Sequence, residues 1–524
     1  MDADVCIVGA GAAGGLLARE LTRDTLRVVV LESGPRHEFS RRAEYVRKYV
    51  RGYDPWRHPN LQLDRHTVGG SPPYRLDGKR VRGVGGGTLH WEGYALRLHA
   101  DDFRMRSRHG IAEDWPISYD DLEPYYTAAE AAFGVAGAAD DPWASPRRAP
   151  FPLPAFPFSY SDRVFAPACR NVGVALHSLP QARNSVAYGG RSVCRACGTC
   201  LVCPTGAKAS TDLTHIPAAE ATGRARIESD VSVLRLELGT SGVVDAAVCA
   251  GADRKERRVR ARVFVLAAGA VENARLLLLS ASAEFPTGLA NRSGLVGRRF
   301  MSHPSIDVVG RAREKTHPYR IGFSTAMSRQ FAVDRERSTR GAFLLEFLNS
   351  AGPTPERIAL ASGLSGQALR RHVADEFGHW LGIRVYGEQL PDRANAVSLA
   401  GNVRDYFGNR APHIQCTVGS YERRALDDAK EVATKILRAM GLQDVRATGI
   451  SYAGHQIGTH RMGNDPQSSV VDAHLRCHDV PNLYLVGSGA FVTASASPPT
   501  LTIAALALRA AEHIAARLKQ TPGS

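Results

Sequence analysis

The first part of the chain constrains the fold more than any other stretch. Residues 4–8 form a short apolar run rich in β-branched residues, and the glycine-rich turn Gly-Ala-Gly-Ala-Ala-Gly follows at 9–14. A helical pattern of leucines comes next, and a second apolar run at 27–31 ends at Glu32. This order of strand, glycine turn, helix, strand and acid is typical of a dinucleotide-binding unit.

Each residue type in this unit has a physical task. Gly9 permits the tight turn, Gly11 lets the backbone approach a pyrophosphate, and Gly14 lets the helix pack closely on the sheet. Ala12 belongs to the same turn, where the helix N-terminus faces the phosphates. Glu32 is predicted to hydrogen-bond ribose hydroxyls, which disfavours a 2′-phosphate. The spacing alone does not distinguish FAD from NAD.

Two distant segments look like later parts of the same sheet. The apolar run 263–269 ends at Gly269, with a helix expected from about residue 272. Near the carboxyl end, the run 482–486 leads into Gly487 and Ser488, and a helix is expected after Thr500. We therefore predict an α/β protein (α+β overall) with a Rossmann-like nucleotide domain assembled from discontinuous segments and a substrate domain with a mainly antiparallel sheet. The expected boundaries are 1–97, 206–299 and 451–524 for the nucleotide domain, 98–205 for a flavin-covering segment with a cysteine-rich loop, and 300–450 for the substrate domain.

Charge and hydropathy narrow the function classes. The formal charge is +14, from 66 basic and 52 acidic residues, which raises nucleic acid, an anionic surface or an anionic ligand as partners. The sequence has no nucleic-acid recognition motif and no apolar run near the roughly 18 residues that span a bilayer. We therefore expect no nucleic-acid partner and no membrane span. Because no basic, apolar leader precedes the first strand, a cytoplasmic location is expected.

Several further motifs carry a family resemblance. They lie at 83–91 (Gly-Val-Gly-Gly-Gly-Thr-Leu-His-Trp), 101–103, 114–116, 293–304, 455–463 (His-Gln-Ile-Gly-Thr-His-Arg-Met-Gly) and 497–503 (Ser-Pro-Pro-Thr-Leu-Thr-Ile). Together with the nucleotide segments they resemble the glucose–methanol–choline (GMC) family of FAD-dependent oxidoreductases. The His-Trp pair and the late Pro-Thr-Leu-Thr run are most similar to the pyranose 2-oxidase, fructose dehydrogenase and gluconate dehydrogenase branch.

The resemblance implies a cofactor, a reaction and a base. FAD would contact Gly86, Thr88 and His90, with Val233 against the adenine. The implied reaction is oxidation of a hydroxyl group of a sugar, glycoside, cyclitol or polyol, with hydride passing to flavin N5. His455 matches the family's base, and a neutral histidine suits that task near pH 7. Electrons would pass to dioxygen, a quinone or a redox protein.

Position 498 departs from the family pattern. The family places a second histidine or an asparagine about 43 residues beyond the base, where this chain has Pro498. Proline offers neither a side-chain donor nor a backbone N–H. Three consequences are open: a neighbour such as Ser497 or a residue from 300–450 substitutes, His455 acts alone, or the reaction differs. The last leaves a natural-product alcohol oxidase or a redox-neutral flavin-containing lyase as alternatives.

Two features leave chemical alternatives open. His90 matches the position where pyranose 2-oxidase attaches its flavin covalently, and the other expectation is that it only shapes the flavin pocket. Three successive C-x-x-C steps, at Cys194, Cys197, Cys200 and Cys203, can face one metal centre. Related dehydrogenases carry a three-iron cluster in a comparable insertion with different spacing. An iron–sulfur cluster, a zinc site and a loop without metal all stay open.

The substrate region has the pattern of a sheet with a helical cover. Strand-like runs are predicted at 383–386 and 414–418, followed by a helix over 422–440, and the sheet is expected to roof the flavin. Tyr386, Glu388 and Gln389 are candidates for a polar pocket, or for a solvated strand face. Residues 352–378 are predicted to form a mobile helical insertion.

Overall fold

The computed structural model describes residues 1–316, 324–333, 335–349 and 351–520. The strands in these ranges are β1 (Ala3–Val8), β2 (Val28–Leu31), β3 (Thr67–Gly69), β4 (Ala136–Gly137), β5 (Leu153–Pro154), β6 (His177–Ser178), β7 (Ala225–Glu228), β8 (Ser232–Leu238), β9 (Val244–Ala250), β10 (Glu256–Val259), β11 (Ala261–Leu266), β12 (Pro304–Arg311), β13 (Ala326–Ser328), β14 (Phe343–Leu348), β15 (Trp380–Gly387), β16 (Ala396–Arg404), β17 (Arg410–Gln415), β18 (Gln443–Ala447), β19 (Ser451–Tyr452) and β20 (Leu483–Leu485). The helices are α1 (Ala12–Arg23), α2 (Arg42–Val50), α3 (Met105–His109), α4 (Tyr119–Phe133), α5 (Tyr160–Asn171), α6 (His215–Glu220), α7 (Ala270–Leu279), α8 (Pro355–Ser362), α9 (Gly366–Glu376), α10 (Ser420–Ala439) and α11 (Thr500–Gln520).

A parallel sheet carries the glycine-rich turn. Within the described residues its order is β20-β11-β1-β2-β7, and all four pairings are parallel. The central strands are apolar and buried almost throughout, as expected for strands covered on both faces. The predicted assembly from early, middle and late segments is confirmed, because β1, β11 and β20 are neighbours.

Helices cover this sheet. Helix α1 packs against α6 and α11, and α11 packs against α4. Helix α1 begins at Ala12, directly after the glycine turn, and α11 begins at Thr500. The predicted helices after Gly14 and after Thr500 are therefore present, each starting at the carboxyl edge of the parallel sheet where nucleotides bind in such folds.

A second, mainly antiparallel sheet lies over that edge. In the part of the chain that is described, its order is β18-β12-β15-β14-β13-β6, with β19 also pairing with β12. Helix α10 packs against β12, β14 and β15 and buries an apolar stripe in their shared core. The predicted antiparallel sheet and the predicted helix are both confirmed. The boundaries between domains stay a prediction.

The strand predicted at 414–418 pairs with other strands, and ends earlier, than expected. The run 414–418 does not join the roof: β17 stops at Gln415 and pairs with β16 and β3 in a separate three-stranded sheet. Alternating hydrophobicity reveals a half-buried strand but not the sheet to which it pairs. The insertion at 352–378 does contain two helices, α8 and α9. Over the described ranges, every helix is too short or too polar to cross a bilayer.

Candidate active site

A cavity of about 780 Å³ lies between the two sheets. It joins the glycine turn of β1 to His455. The predicted cofactor-binding and catalytic residues that line it are Gly9, Gly11, Ala12, Glu32, Gly86, Thr88, His90, Val233, Gly269, His455, Gly487, Ser488 and Thr500. Of the predicted set, Gly14 is outside the lining and lies behind the turn.

The three glycines of the turn differ in what surrounds them. Gly9 has φ +102°, and a Cβ added there would be 2.7 Å from the carbonyl oxygen of Ala267. A Cβ at Gly14 would be 1.9 Å from the carbonyl oxygen of Gly9. A Cβ at Gly11 would have only the Cα of Gly86 within 4 Å, at 3.9 Å. Gly9 and Gly14 are thus required for backbone packing, whereas the space beside Gly11 belongs to the cavity and fits a pyrophosphate.

Glu32 lines the cavity and is held by backbone hydrogen bonds. Its carboxylate accepts hydrogen bonds from the backbone N–H of Ala10 at 2.9 Å, Gly34 at 3.0 Å and Gly83 at 3.0 Å. Burial raises the pKa of Glu32, and these donors together with Arg82 oppose that rise. A carboxylate has about four acceptor positions, so three backbone donors orient Glu32 and leave capacity for a hydroxyl.

Charged side chains form the wall next to Glu32. Arg82 bonds to Asp64 at 2.9 Å and to Glu272 at 3.0 Å, while Arg80 bridges the same two carboxylates. Burial alone would raise the pKa of Glu272, but the Arg82, Arg80 and Arg275 guanidiniums hold it well below its usual range. The sequence reading missed this wall, because its members are far apart in the chain and carry no motif.

The loop bearing His90 is fastened by a buried lysine. Nζ of Lys208 donates to the carbonyl oxygens of Leu89 at 3.0 Å and Trp91 at 2.7 Å. Burial lowers the pKa of Lys208 to about 8, and burial with the Lys208 charge lowers that of His90 to about 4. His90 is therefore a neutral imidazole at pH 7. Both alternatives for His90, covalent attachment to a flavin and shaping of the pocket alone, stay predictions.

His455 lies at the opposite end of the cavity and pairs with a second histidine. Nδ1 of His455 is 2.6 Å from Nδ1 of His303, and Nε2 of His303 is 3.3 Å from the carbonyl oxygen of Ala494. Burial lowers the pKa of His303 to about 4. Burial, His303 and Lys79 hold the pKa of His455 well below 6.5. Both imidazoles are neutral at pH 7, as a proton-accepting site requires.

A polar face of the antiparallel sheet stands across from His455. Arg384 and Tyr386 alternate on β15 and so share one face, and Asp307 on β12 is the register partner of Arg384. Arg384 bonds to Asp307 at 2.9 Å and 3.1 Å, and the ring of Tyr386 is 5.8 Å from that of His455. Glu92 adds a carboxylate 3.9 Å from Arg384. We call these four residues the polar face.

Buried acids set the charge of the polar face. Glu346 is the register partner of Arg384 on β14, and it accepts hydrogen bonds from Tyr94 at 2.5 Å and Ser324 at 2.7 Å. Burial and the charge of Glu346 raise the pKa of Glu92 to about 7. The polar face therefore combines a guanidinium donor and the Asp307 carboxylate with Glu92, whose carboxyl group is present both charged and neutral near pH 7.

Two of the pocket candidates from the sequence lie elsewhere. Tyr386 lines the cavity, but Glu388 is buried in an ion pair with Arg337 at 2.7 Å. Gln389 donates to the carbonyl oxygen of Thr417 at 3.0 Å and accepts from the backbone N–H of Ser302 at 2.8 Å. Both are structural. They follow Tyr386 on one segment, and a sequence pattern cannot show where the strand leaves the cavity.

Pro498 and Lys79 complete the lining near His455. Nζ of Lys79 lies 4.4 Å from the ring centre of Tyr74 and 5.7 Å from that of Tyr452. Burial lowers the pKa of Lys79 to about 8, so this side chain brings an ammonium close to the base. Lys79 was not predicted from the sequence, because it belongs to no recognisable motif.

The four clustered cysteines point to different partners. Cys197 is exposed and Cys194 half-buried, whereas Cys200 and Cys203 are buried. Sγ of Cys203 accepts from the backbone N–H of Lys208 at 3.2 Å, and Sγ of Cys200 is 3.5 Å from Arg183. Among the described residues, no group of three or more histidine, cysteine or acidic side chains gathers in a metal-binding arrangement. This arrangement gives no support for an iron–sulfur cluster or a zinc site.

A dinucleotide cradle that opens onto a neutral histidine defines a cofactor-dependent oxidoreductase. The particular family follows from comparison with known proteins. The GMC oxidoreductase models match residues 76–305 and 391–507, so the chain belongs to the GMC oxidoreductase family. It is an enzyme that acts on CH–OH donors, in a family of FAD-dependent flavoproteins.

Individual relatives extend over the whole chain. The chain is 34% identical to the fructose dehydrogenase large subunit of Gluconobacter japonicus, over 99% of each protein. It is 30% identical to 6‴-hydroxyparomomycin C oxidase of Streptomyces lividus, over 98% of this chain and 92% of that protein. Crystalline pyridoxine 4-oxidase from Mesorbium loti shares the fold, with a TM-score of 0.65, 18% identity and coverage of 99% and 100%.

Proposed function

We propose that this enzyme oxidises a hydroxyl group of a sugar, glycoside, cyclitol or related polyol with FAD. One observation carries the proposal: a single cavity connects the dinucleotide turn to His455 and the polar face. The fructose dehydrogenase and hydroxyparomomycin oxidase relatives support it, since their names place polyhydroxylated substrates in this family.

The residues of this chain fit FAD along the cavity. The glycine turn would hold the pyrophosphate at Gly11, Glu32 would bind the ribose, and Val233 would contact the adenine. The loop with Gly86 to His90 and the segment at Gly487, Ser488 and Thr500 would hold the remainder. When bound, the flavin supplies a two-electron acceptor for a hydride.

His455 would act as the base. An alcohol carbon releases its hydrogen with the bonding electron pair readily only when its oxygen becomes alkoxide-like. A neutral imidazole within hydrogen-bond reach takes the hydroxyl proton as the carbonyl product forms. Burial keeps His455 neutral, so the base is ready to accept a proton throughout the neutral pH range.

The polar face would select the substrate class. Asp307 provides carboxylate acceptors, Arg384 provides donors, Glu92 accepts when charged and can donate when protonated, and Tyr386 adds a hydroxyl and an aromatic surface beside His455. Every hydroxyl of a sugar can both donate and accept, so a ligand with several hydroxyls satisfies these groups together. An apolar alcohol would offer no partner for the hydrogen-bonding positions that the Arg384–Asp307 pair leaves open, at a cost of about 1–3 kcal/mol for each polar group that it covers.

We propose that the reduced enzyme is reoxidised by dioxygen, by a quinone or by a redox protein. We assign no step to the cysteine loop, because no three of the described side chains around it are arranged as metal ligands. The cytoplasmic location stays a prediction.

The experiment is an anaerobic spectral screen of the purified holoenzyme. D-Fructose, D-glucose, D-sorbitol, myo-inositol and paromomycin are each added, and the oxidised-flavin band is followed with product analysis. We expect at least one polyol to bleach the band and yield its carbonyl product. Product formation without bleaching would indicate a lyase instead, and bleaching only by small monoalcohols would contradict the substrate class.

A further inference from the structure

His303 is fully buried behind His455, directly before β12. One edge of its ring faces backbone. Nε2 lies 3.3 Å from the carbonyl oxygen of Ala494, and the carbonyl of Ser495 is a second acceptor. Carbonyl oxygens only accept hydrogen bonds, so Nε2 of His303 carries a hydrogen. A neutral imidazole has one N–H, and Nδ1 of His303 is therefore an acceptor.

The contact between the two rings then has a single solution. The two Nδ1 atoms are 2.6 Å apart, which is hydrogen-bond distance and leaves room for one hydrogen between them. Because Nδ1 of His303 has no hydrogen, Nδ1 of His455 must donate. A neutral His455 with its hydrogen on Nδ1 keeps the lone pair on Nε2. That atom is on the part of the ring away from His303, and His455 lines the cavity.

We propose that His303 is a positioning residue that fixes His455 as the Nδ1–H tautomer and so directs the Nε2 lone pair at the substrate hydroxyl. The inference rests on the proposed function, because it concerns the atom that would take the hydroxyl proton. In this arrangement His455 donates to His303, and His303 donates to the carbonyl oxygen of Ala494. We call these two hydrogen bonds the relay.

The relay also serves the product of proton transfer. When the O–H bond breaks, its proton would move to Nε2 of His455, and a bound flavin would supply the two-electron acceptor for the hydride of the carbon. His455 is then an imidazolium whose Nδ1–H still donates to the lone pair of His303. A charge formed in a buried site is stabilised by an acceptor already in place. The proton stays on Nε2 until the product leaves.

The relay bears on the proline at 498. Pro498 lines the cavity but has no side-chain donor or acceptor and no N–H. Within the described residues, the imidazole of His455 makes one side-chain hydrogen bond, to His303. Orientation of the base therefore comes from behind the ring and not from a second group at the substrate.

The first test reads the tautomer without any substrate. The holoenzyme is labelled with ¹⁵N-histidine, and the ring nitrogens of His455 are assigned by comparison with His455→Gln. We expect a protonated Nδ1 and an unprotonated Nε2 at pH 7. An Nε2–H tautomer, or a charged ring, would overturn the proposal even if the enzyme oxidises alcohols.

The second test uses variants with the substrate found in the screen. His303→Asn keeps an acceptor near the position of Nδ1, whereas His303→Leu removes it, and His177→Leu is the control for loss of a buried histidine outside the cavity. For His303→Leu we expect flavin reduction to be roughly 10- to 100-fold slower at unchanged substrate affinity, with most of the rate restored in His303→Asn.

Each outcome has a separate meaning. Equal reduction rates in wild type, His303→Leu and His303→Asn would overturn the positioning role, as would a loss matched by His177→Leu. If His303→Leu fails to fold, the tautomer of the wild type and the rate of His303→Asn still decide. If no polyol bleaches the flavin, the proposed function fails while the nitrogen spectrum continues to test the relay.

Discussion

Two alanine substitutions in one turn should have opposite effects on stability and on cofactor binding. Gly11 is the N-cap residue directly before helix α1, with φ −78°, which alanine adopts readily, and its added Cβ meets nothing closer than 3.9 Å. Gly14 is three residues on, where an added Cβ would be 1.9 Å from a backbone oxygen. These contacts predict that Gly11 serves ligand binding and that Gly14 serves the packing of α1.

The magnitudes follow from these contacts. Gly11→Ala should change the stability of the apoprotein by no more than about 1 kcal/mol. Its methyl group stands where the pyrophosphate approaches, so FAD affinity should fall at least roughly 100-fold, or about 3 kcal/mol. Gly14→Ala forces the helix away from the strand and should cost roughly 1–3 kcal/mol of apoprotein stability.

The assay combines two measurements on the same apoprotein preparations. Flavin fluorescence titration gives the affinity for FAD, and urea denaturation without FAD gives the stability. A Gly11→Ala protein that binds FAD like the wild type would refute the assignment of this turn to the pyrophosphate. A Gly14→Ala protein as stable as the wild type would refute the close contact of helix and strand.

Three further results are expected. Burial and Glu346 raise the pKa of Glu92 to about 7. The contribution of Glu92 to the free energy of unfolding is therefore fully present below about pH 4.5 and is lost as the pH rises through 7. Urea denaturation at several pH values should show the wild type losing up to roughly 3 kcal/mol relative to Glu92→Gln, and parallel pH profiles would contradict this. Arg337 is buried between Asp102 and Glu388, at 2.7 Å from each, so Arg337→Met should cost roughly 3–5 kcal/mol. Arg258→Met, in an exposed pair with Glu237, should cost far less stability, and equal losses would contradict the role of burial. Because no three of the described histidine, cysteine or acidic side chains gather as metal ligands do, iron and sulfide analysis should find flavin without stoichiometric iron, and a matched iron and sulfide content would contradict this.

The nucleotide end could be predicted from sequence because its chemistry is contiguous. Turn, helix and acid lie within the first 32 residues, and the physical demands of a pyrophosphate on backbone approach fix the glycine positions. The parallel strands β11 and β20 were also predictable, since each is an apolar run ending in small residues. Local sequence carries these features directly.

The catalytic end depends on contacts that local sequence does not record. His303 and His455 are 152 positions apart, and only the folded sheet brings their rings together. The polar face requires the register of β12 against β15, and the run 414–418 shows that a strand pattern leaves its partner undetermined. Cysteine spacing likewise leaves open the direction of each thiol. These features are set by tertiary packing.

The most direct test of the central claim is the rate of anaerobic flavin reduction in wild type and in His455→Gln. Both holoenzymes are mixed rapidly with the polyol that bleaches the wild type, and flavin content and substrate affinity are measured in parallel. We predict that the His455→Gln enzyme retains FAD and binds the polyol, but that its flavin is reduced at least roughly 100-fold more slowly than in the wild type. Reduction at the wild-type rate would contradict it.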